Sequence, residues 1–364
     1  MKPPATIAEV SARAFNAAMN APFEIATGGK TEVSNVLTRV RLSDGTLGYG
    51  EGAPMPAFNG ETQGRTLAAV RRAGRGLLGQ DIRRWRALLE RIDAAVGPRR
   101  GAARAALGMA VLDAWARRAK LPLSCLFGGS QTEVSSDVTV TIVPPTQARA
   151  AAERILAMGI RTIKIKVGRD LKEDFERVRA VASAGRSLKL MLDANQGYGP
   201  SESIRLASRL KKAGIVPVLF EQPAARDDWA GLAEVWRRTR IPVAADESVS
   251  SRRDALKMAR LRAAQVVNIK LMKSGLLEAW EIALICRAAG LKLMIGGLVE
   301  STLAMACAAH MAAGIGGFDF VDLDTPLWFQ DEPMRGLKLS HGGIYDLSRV
   351  KAGIGVVPGP RLRF

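Results

Sequence analysis

The chain has 364 residues, 48% of them apolar, which is enough for one large domain and a smaller one, each with its own core. It contains no run of about 18 uncharged apolar residues and no apolar leader at its start, so we expect no membrane span and a cytoplasmic location. Lysine and arginine outnumber the acids by 53 to 35, but they are scattered along predicted helices, and only 5% of residues are aromatic. This pattern predicts solvated helix faces rather than binding to nucleic acid, and three widely separated cysteines argue against a disulfide framework or a zinc cluster.

The first part of the chain has the pattern of a small α+β domain. Residues 31–42 are rich in β-branched side chains and predict a strand, residues 43–46 predict a turn, and residues 47–52 predict the partner strand. Apolar residues then recur at helical spacing from about residue 62 to 120. We interpret residues 1–128 as this first domain.

From residue 136 onwards short apolar strands alternate with helical segments. We place strands near residues 136–142, 162–167, 188–193, 216–221, 242–246, 265–270, 292–296 and 317–322. Helices fill the seven gaps between them, and a period near 25 residues is typical of parallel strands that close into a barrel. Residues 129–330 therefore predict an α/β barrel, and residues 331–364 are expected to pack back on the first domain.

Three acids stand at the ends of consecutive predicted strands. Asp193, Glu221 and Asp246 would lie a few ångströms apart in the mouth of a barrel, where like charges stay ionised only if a cation neutralises them. Carboxylate oxygens suit a hard divalent ion, and Mg²⁺ is the preferred candidate. Each acid alone can also be read as the cap of the following helix.

Lysines end two of the strands that flank these acids. Lys166 and Lys270 would face the site from opposite sides, and Lys164 points the same way as Lys166 because strand side chains alternate. A lysine held near other cations and partly desolvated can have its pKa lowered towards 7–8 and act as a general base. A metal between two such bases suits removal and return of a proton next to a carboxylate. Alternatively, Lys164 is a surface lysine with no role in the site.

On these residues the chain resembles the enolase superfamily, in its muconate-lactonizing-enzyme subgroup, over essentially its full length. The matching segments are Lys164-Ile165-Lys166, Asp193-Ala194-Asn195, Glu221-Gln222-Pro223, Asp246-Glu247-Ser248 and Lys270. The resemblance implies a modified TIM barrel, (β/α)7β, with an N-terminal capping domain whose loops near residues 20 and 50 close over the substrate. It implies one Mg²⁺ per subunit on the three acids, an acid/base pair of Lys166 and Lys270, a metal-stabilised enediolate, and a homo-oligomer.

A second acidic pair narrows the resemblance to dipeptide epimerases of the L-Ala-D/L-Glu type. Asp322 and Asp324, after the eighth strand, resemble the Asp-x-Asp element whose acids hold a dipeptide's α-ammonium group. They share one face of an extended segment, so both can meet one cation, although turn-forming acids at a strand exit would look the same. The turn at Gly296 offers backbone donors that can bind a substrate carboxylate, or it serves the turn alone.

The substrate side chain is less well specified by the sequence. The first capping loop has no arginine or lysine before Lys30, which argues against an acidic side chain and leaves apolar and cationic ones open. For an apolar side chain the candidate contacts are Phe23, Ile25, Met55 and Phe58; for a cationic one they are Glu24 and Glu51.

The prediction is thus Mg²⁺-dependent epimerisation of an L,L-dipeptide to an L,D-dipeptide. On the same scaffold the alternatives are an N-acylamino acid racemase, a muconate cycloisomerase and an o-succinylbenzoate synthase, none of which needs two acids at positions 322 and 324. An alternative of another class is a non-catalytic polyanion-binding barrel, which the full set of lysines and acids argues against.

Overall fold

The computed structural model describes residues 5–26, 28–362 and 364, and begins with a three-stranded antiparallel sheet in the order β1-β2-β3. The elements of this first domain, which we call the cap, are β1 (Ile7–Ile25), β2 (Gly28–Leu42), β3 (Leu47–Gly52), α1 (Pro56–Asn59), α2 (Gln63–Arg75), α3 (Trp85–Val96) and α4 (Gly101–Ala119). Short 3-10 helices at Ile82–Arg84 and Leu123–Phe127 join them, and β4 (Glu133–Ser135) follows. The predicted strand pair and the helical block are present, and β2 begins three residues earlier than predicted.

Close packing of α4 on β3 explains an alternating glycine pattern in the cap. A Cβ on Gly48 or Gly50 would lie only 2.2 or 2.1 Å from the backbone oxygen of Ala110 or Ala106. Only glycine allows the helix backbone to approach the strand this closely. The alanine-rich helix is buried along most of its length, so it forms the centre of the cap.

The second domain is an eight-stranded parallel sheet with the strands in chain order. Its elements are β5 (Val138–Val140), α5 (Pro145–Ala157), β6 (Thr162–Lys166), α6 (Leu171–Ala182), β7 (Lys189–Asp193), α7 (Pro200–Lys212), β8 (Leu219–Glu221), α8 (Trp229–Thr239), β9 (Val243–Ala245), α9 (Arg252–Leu261), β10 (Val266–Lys270), α10 (Leu271–Ser274), α11 (Leu276–Ala288), β11 (Lys292–Gly296), α12 (Thr302–Ile315) and β12 (Phe318–Asp322). Every gap between neighbouring strands contains a helix. This confirms the predicted (β/α)7β architecture.

The first and last strands meet at a seam that nearly closes the barrel. The Asp137 N–H donates to the Val321 carbonyl at 2.8 Å, and the Leu323 N–H donates to Ser136 Oγ at 2.7 Å. Several strands are shorter than predicted: β5 covers residues 138–140 rather than 136–142, and β9 covers 243–245 rather than 242–246. We expected a strand from residue 216, but β8 starts at Leu219, because Pro217 has no N–H to give to a neighbouring strand.

The barrel interior is layered, with apolar side chains below and charged ones above. Met191, Leu219, Ala244, Val266 and Met294 form a separate buried cluster inside the barrel. Along β7 and β11, residues of this cluster lie two positions before the strand's last residue. Since side chains two apart point to the same side of a strand, the residues at the strand ends also point inward, above this floor.

The chain after β12 returns to the cap and to β4. It contains a 3-10 helix at Thr325–Trp328 and further 3-10 helices at His341–Gly343, Leu347–Arg349 and Pro360–Leu362, with strands β13 (Met334–Gly336), β14 (Ile344–Asp346) and β15 (Val356–Pro358). Strand β14 pairs with β4 and β15 with β13. Arg117 and Asp113 of α4 bond to the backbone of Val356 and Ile354, each at 2.8 Å. Within the described part of the chain, no helix is both long enough and apolar enough to cross a membrane.

Candidate active site

The register of the barrel brings the predicted site residues to one edge. Lys166, Asp193 and Glu221 are Cα partners on neighbouring strands β6, β7 and β8. Across the barrel, Lys270 is the partner of Gly296 on β11, and Gly296 is the partner of Asp322 on β12. Asp246 follows the last residue of β9. All the charged members of this set are buried, with at most 7% of any residue exposed.

Lysine ammonium groups lie directly against the acids. Lys164 Nζ is 2.7 Å from Glu221 Oε2, 3.1 Å from Asp193 Oδ2 and 2.7 Å from Asp322 Oδ2. Lys166 Nζ is 2.6 Å from the same oxygen of Asp193. Lys270 Nζ lies 2.7 Å from Asp246 Oδ2. The site is therefore a dense network of buried ion pairs rather than a set of separate solvated charges.

The pKa values of the acids follow from this network. Burial alone would raise the pKa of Asp193, but the ammonium groups of Lys164 and Lys166 outweigh it and lower that pKa to about 2. For Glu221, burial and the negative charge of Asp193 prevail and raise the pKa above its usual range. The network thus holds one carboxylate firmly ionised beside another whose charge is destabilised.

The pKa of Lys270 shifts in the direction opposite to the one predicted. Burial would lower the pKa of Lys270, but the carboxylates of Asp246 and Glu221 raise it above its ordinary value. The pKa of Lys164 is likewise raised despite burial, chiefly by Asp193. Neighbouring cations were expected to dominate, whereas carboxylates are the nearest charges to Lys270 and Lys164.

The three carboxylates of Asp193, Glu221 and Asp246 suit a hard cation, although each of them contacts a lysine ammonium. Among the residues that the structure describes, no three acidic, histidine or cysteine side chains form a ready-made metal cluster. The oxygens of Asp193 and Glu221 instead share the ammonium of Lys164, so a positive charge already stands between them. Three carboxylates from neighbouring strands, with no nitrogen or sulfur donor, have the chemistry that Mg²⁺ prefers. The residues present therefore fit the ion that the sequence predicted.

The cap supplies an apolar cover for the charged strand ends. Phe23, Ile25, Met55 and Phe58 line one pocket, which also contains Thr139, Lys166, Asn195, Lys270, Gly297, Leu298, Val299, Asp322, Asp324 and Thr325. The Phe23 ring centre lies 5.9 Å from Lys166 Nζ, and the Phe58 ring centre lies 5.6 Å from Lys270 Nζ. Each of the two lysines expected to move protons thus has an aromatic ring of the cap beside it.

The structure brings Asp322 and Asp324 to this pocket but gives them different partners. Asp322 contacts the Lys164 ammonium, whereas Asp324 Oδ2 accepts a 2.7 Å hydrogen bond from the Thr139 N–H. The other oxygen of Asp324 is buried without a hydrogen-bond partner among the described residues. Burial and the charge of Asp322 raise the pKa of Asp324 to about 6. A buried carboxylate oxygen without a partner, on a residue that lines a pocket, is a candidate acceptor for a ligand's N–H.

Two predicted substrate contacts lie elsewhere, and we correct them. Glu24 pairs with Arg169 at 2.7 Å and does not line the pocket. Glu51 is fully buried, accepts hydrogen bonds from Asn35 Nδ2 at 2.7 Å and the Ser301 N–H at 3.0 Å, and also bonds the Ser301 hydroxyl. Both acids are already neutralised or hydrogen-bonded within the protein, so neither is placed to meet a substrate cation.

Several polar residues of the site have no role predicted from the sequence. Asn195 accepts a 3.1 Å hydrogen bond from Lys166, and Thr139 donates to Asp324. Asp137 is buried beside the Asp322 carboxylate, and burial together with Asp322 raises its pKa well above the usual range. A charged residue within the predicted strand 136–142 was a usable signal for Asp137. For Lys273, which bonds Asp246, no sequence pattern distinguishes it from a surface lysine.

The chain is similar to known proteins in family models, in sequence and in structure. Residues 7–128 match the model described as mandelate racemase / muconate lactonizing enzyme, N-terminal domain, and residues 147–361 match the model described as enolase C-terminal domain-like. The chain is 46% identical to the aromatic dipeptide epimerase of Herpetosiphon aurantiacus, over 97% of this chain and 99% of that one. It is 37% identical to the hydrophobic dipeptide epimerase of Citrifermentans bemidjiense, over 97% and 98% of the two chains.

One solved structure with a similar fold contains a metal and a dipeptide. The dipeptide epimerase of Enterococcus faecalis, complexed with Mg and the dipeptide L-Leu-L-Tyr, superposes with a TM-score of 0.92 at 33% identity. The match covers 96% of this chain and 99% of that one. Similarity in sequence and in structure thus extends over both the cap and the barrel.

Proposed function

The chain belongs to the mandelate racemase / muconate lactonizing enzyme family of the enolase superfamily, and on this premise we propose that it is a Mg²⁺-dependent dipeptide epimerase. It would convert an L,L-dipeptide to the L,D form by moving the α-proton of the second residue. The observation that carries the proposal is the pair Lys166 and Lys270, which face one pocket whose wall also contains Asp322 and Asp324.

Two bases on opposite sides of one carbon explain inversion. Strands β6 and β10 are four places apart in the eight-stranded sheet, so Lys166 and Lys270 approach the pocket from across the barrel. One lysine would accept the α-proton from one face, and the other would return a proton to the opposite face. A lysine accepts a proton only when it is neutral, so the carboxylates that now hold Lys270 charged must be balanced by another cation. When bound by Asp193, Glu221 and Asp246, Mg²⁺ would supply that charge and act as a Lewis acid towards a substrate carboxylate.

The acids on β12 and after it favour a substrate with a free ammonium group. Asp322 and Asp324 both line the pocket, and their carboxylates can accept N–H bonds from one ammonium. An N-acylamino acid has no such charge, and the substrates of cycloisomerases and succinylbenzoate synthases carry carboxylates that these acids would repel. This arrangement supports a dipeptide over the other substrate classes of the fold.

The cap side of the pocket favours an apolar substrate side chain. Its contacts come from Phe23, Ile25, Met55 and Phe58, and no arginine lines the pocket among the described residues. Glu24 and Glu51, which would have favoured a cationic side chain, are engaged with other parts of the protein. Relatives named for aromatic and for hydrophobic dipeptides support the same preference.

Proton exchange in D₂O tests the proposal directly. Purified protein with Mg²⁺ would be incubated with a mixed L,L-dipeptide library, and incorporation of α-deuterium would be measured by mass spectrometry. We expect deuterium in dipeptides with an apolar second residue, its loss with EDTA, and its return when Mg²⁺ is added in excess. Exchange in N-acylamino acids but in no dipeptide would overturn the proposal in favour of an N-acylamino acid racemase.

A further inference from the structure

Lys273 lies beside the acid network but has no part in the proton transfers above. It belongs to α10, the single helical turn that follows β10, and only 3% of its side chain is exposed. Its Nζ donates to Asp246 Oδ1 at 2.8 Å, to the Asp246 carbonyl at 2.6 Å and to the Asn268 carbonyl at 2.7 Å. A lysine ammonium has three N–H groups, so all of them are used. Lys273 is therefore built to hold its neighbours in place.

Lys270 and Lys273 hold the two oxygens of the same carboxylate from different directions. Lys270 reaches Asp246 Oδ2 from within the catalytic pocket, where its ammonium also lies near Phe58. Lys273 reaches Oδ1 and lines a separate cavity of about 220 Å³, outside the pocket that contains Lys270. Only the Lys270 contact can be exchanged for another cation without disturbing the backbone around Asp246, because Lys273 also holds two carbonyl groups.

Asn268 holds the carboxylate of Glu221 as Lys273 holds that of Asp246. It is fully buried on β10, two residues before Lys270, and its Nδ2 donates to Glu221 Oε1 at 2.7 Å. Gly296 on the adjacent strand leaves the room that this amide needs. A Cβ on Gly296 would lie 2.8 Å from Asn268 Oδ1 and 3.0 Å from Nδ2. Gly296, which the sequence suggested as a substrate contact, thus makes space for Asn268, and its neighbour Gly297 lines the pocket.

We propose that Lys273 and Asn268 are positioning residues that orient Asp246 and Glu221 for cation binding. The inference rests on the proposed function, because it assumes that these acids bind Mg²⁺. Lys273 fixes one oxygen of Asp246, Asn268 fixes one oxygen of Glu221, and the Lys273–Asn268 bond ties the two supports together. Polar groups that orient metal ligands in this way typically contribute about 10–100-fold to metal affinity or activity.

Mg²⁺ binding by titration calorimetry on the purified, EDTA-stripped chain tests this directly. We expect Lys273→Met and Asn268→Leu each to weaken Mg²⁺ binding by about 10–100-fold. Lys211→Met, which removes an exposed lysine of α7, is the matched control and should bind as the wild type does. Circular dichroism and thermal unfolding without Mg²⁺ separate loss of orientation from loss of the fold.

A third variant keeps the test decisive if Lys273→Met fails to fold. Gly296→Ala leaves both polar side chains in the protein but should push the Asn268 amide away from Glu221, so it too should weaken Mg²⁺ binding. Folded Asn268→Leu and Gly296→Ala proteins with wild-type or tighter Mg²⁺ affinity would overturn the inference alone. A wild-type chain that binds no Mg²⁺ would overturn the proposed function as well.

Discussion

The two sides of the pocket are built from different materials. The barrel side consists of buried charges at strand ends, where ammonium and carboxylate groups lie within about 3 Å of each other. The cap side consists of rings and aliphatic chains such as Phe23, Met55 and Phe58, which approach those charges without bonding to them. The proposed function assigns a division of labour to this difference, in which the strand ends carry the chemistry and the cap selects the substrate side chain.

Removing either lysine of the barrel side should have the largest effect. We expect Lys166→Met and Lys270→Met each to lower the epimerisation rate by at least the 10²–10⁴-fold that a positioned general acid or base typically contributes. The two variants should differ in one respect. Each should still exchange the α-proton of one diastereomer in D₂O and not of the other, with opposite preferences, because one base remains on each face.

Exchange kinetics measured from the L,L and the L,D dipeptide separately would check this. Lys211→Met, on the outer surface, is the control for loss of a lysine and should keep both activities. Variants that retain epimerisation, or that lose exchange from both diastereomers while still folding and binding Mg²⁺, would contradict the two-base mechanism.

Removing the charge of Asp322, which is proposed to bind the substrate's ammonium group, should have the next largest effect. Asp322→Asn keeps the side-chain shape but removes a charged acceptor, and hydrogen bonds to charged groups contribute about 1.5–3 kcal/mol. We therefore expect KM for free dipeptides to rise about 10–100-fold. Dipeptides with an acetylated N-terminus, which we expect to be poor substrates of the wild type, should lose little. Equal losses for free and acetylated dipeptides would mean that Asp322 acts only through its contact with Lys164.

The barrel side was predictable from sequence because strand ends converge by geometry. Once strands were placed at a regular spacing, Lys166, Asp193, Glu221 and Lys270 were expected to converge. The register aligns the first three, and Lys270 Nζ lies 4.0 Å from Glu221 Oε1. The error in the start of β8 did not affect the predicted position of Glu221, because Glu221 is the last residue of that strand.

The cap side was only partly predictable, because its contacts depend on partners far away in the chain. Phe23 and Met55 line the pocket as apolar loop residues were expected to. Glu51 bonds Ser301, which is 250 residues away, and Glu24 bonds Arg169, which is 145 residues away. No local pattern distinguishes an acid that meets a substrate from one that meets a distant part of its own chain.

Shrinking the cap side should change selectivity rather than the chemical step. Phe23 packs edge-on against Trp328, with ring centres 5.1 Å apart, and lies beside Lys166. Phe23→Ala should remove about 1–2 kcal/mol of apolar contact with a large substrate side chain, or a factor of about 5–30 in kcat/KM. Dipeptides ending in alanine should be affected much less. Phe175→Ala, on the outer helix α6, controls for loss of a phenylalanine, and an equal loss for all dipeptides would contradict a role in selectivity.

The pH dependence of kcat/KM should follow the ionisation of Asp324, which is proposed to bind the substrate's ammonium group. Burial and Asp322 raise the pKa of Asp324 to about 6, so Asp324 is protonated below that pH and ionised above it. An ionised Asp324 is the form that binds an ammonium group. We expect kcat/KM for dipeptides to fall about tenfold for each pH unit below 6, and this inflection should disappear in Asp324→Asn. An inflection unchanged in the variant would assign it to another group.

The smallest effect should come from the exposed edge where cap and barrel meet. Glu24 and Arg169 are each more than a third exposed, and ion pairs of this kind contribute about 0–1 kcal/mol. Glu24→Gln should therefore change KM by less than about fivefold, and the difference from the wild type should shrink in high salt. Arg169→Met should cost more, because Arg169 also donates to the Ile25 carbonyl at 2.8 Å and so holds the strand that carries Phe23. If Glu24→Gln instead impaired only dipeptides with a lysine or arginine side chain, Glu24 would leave Arg169 to meet the substrate, and the cap would select by charge as well as by apolar contact.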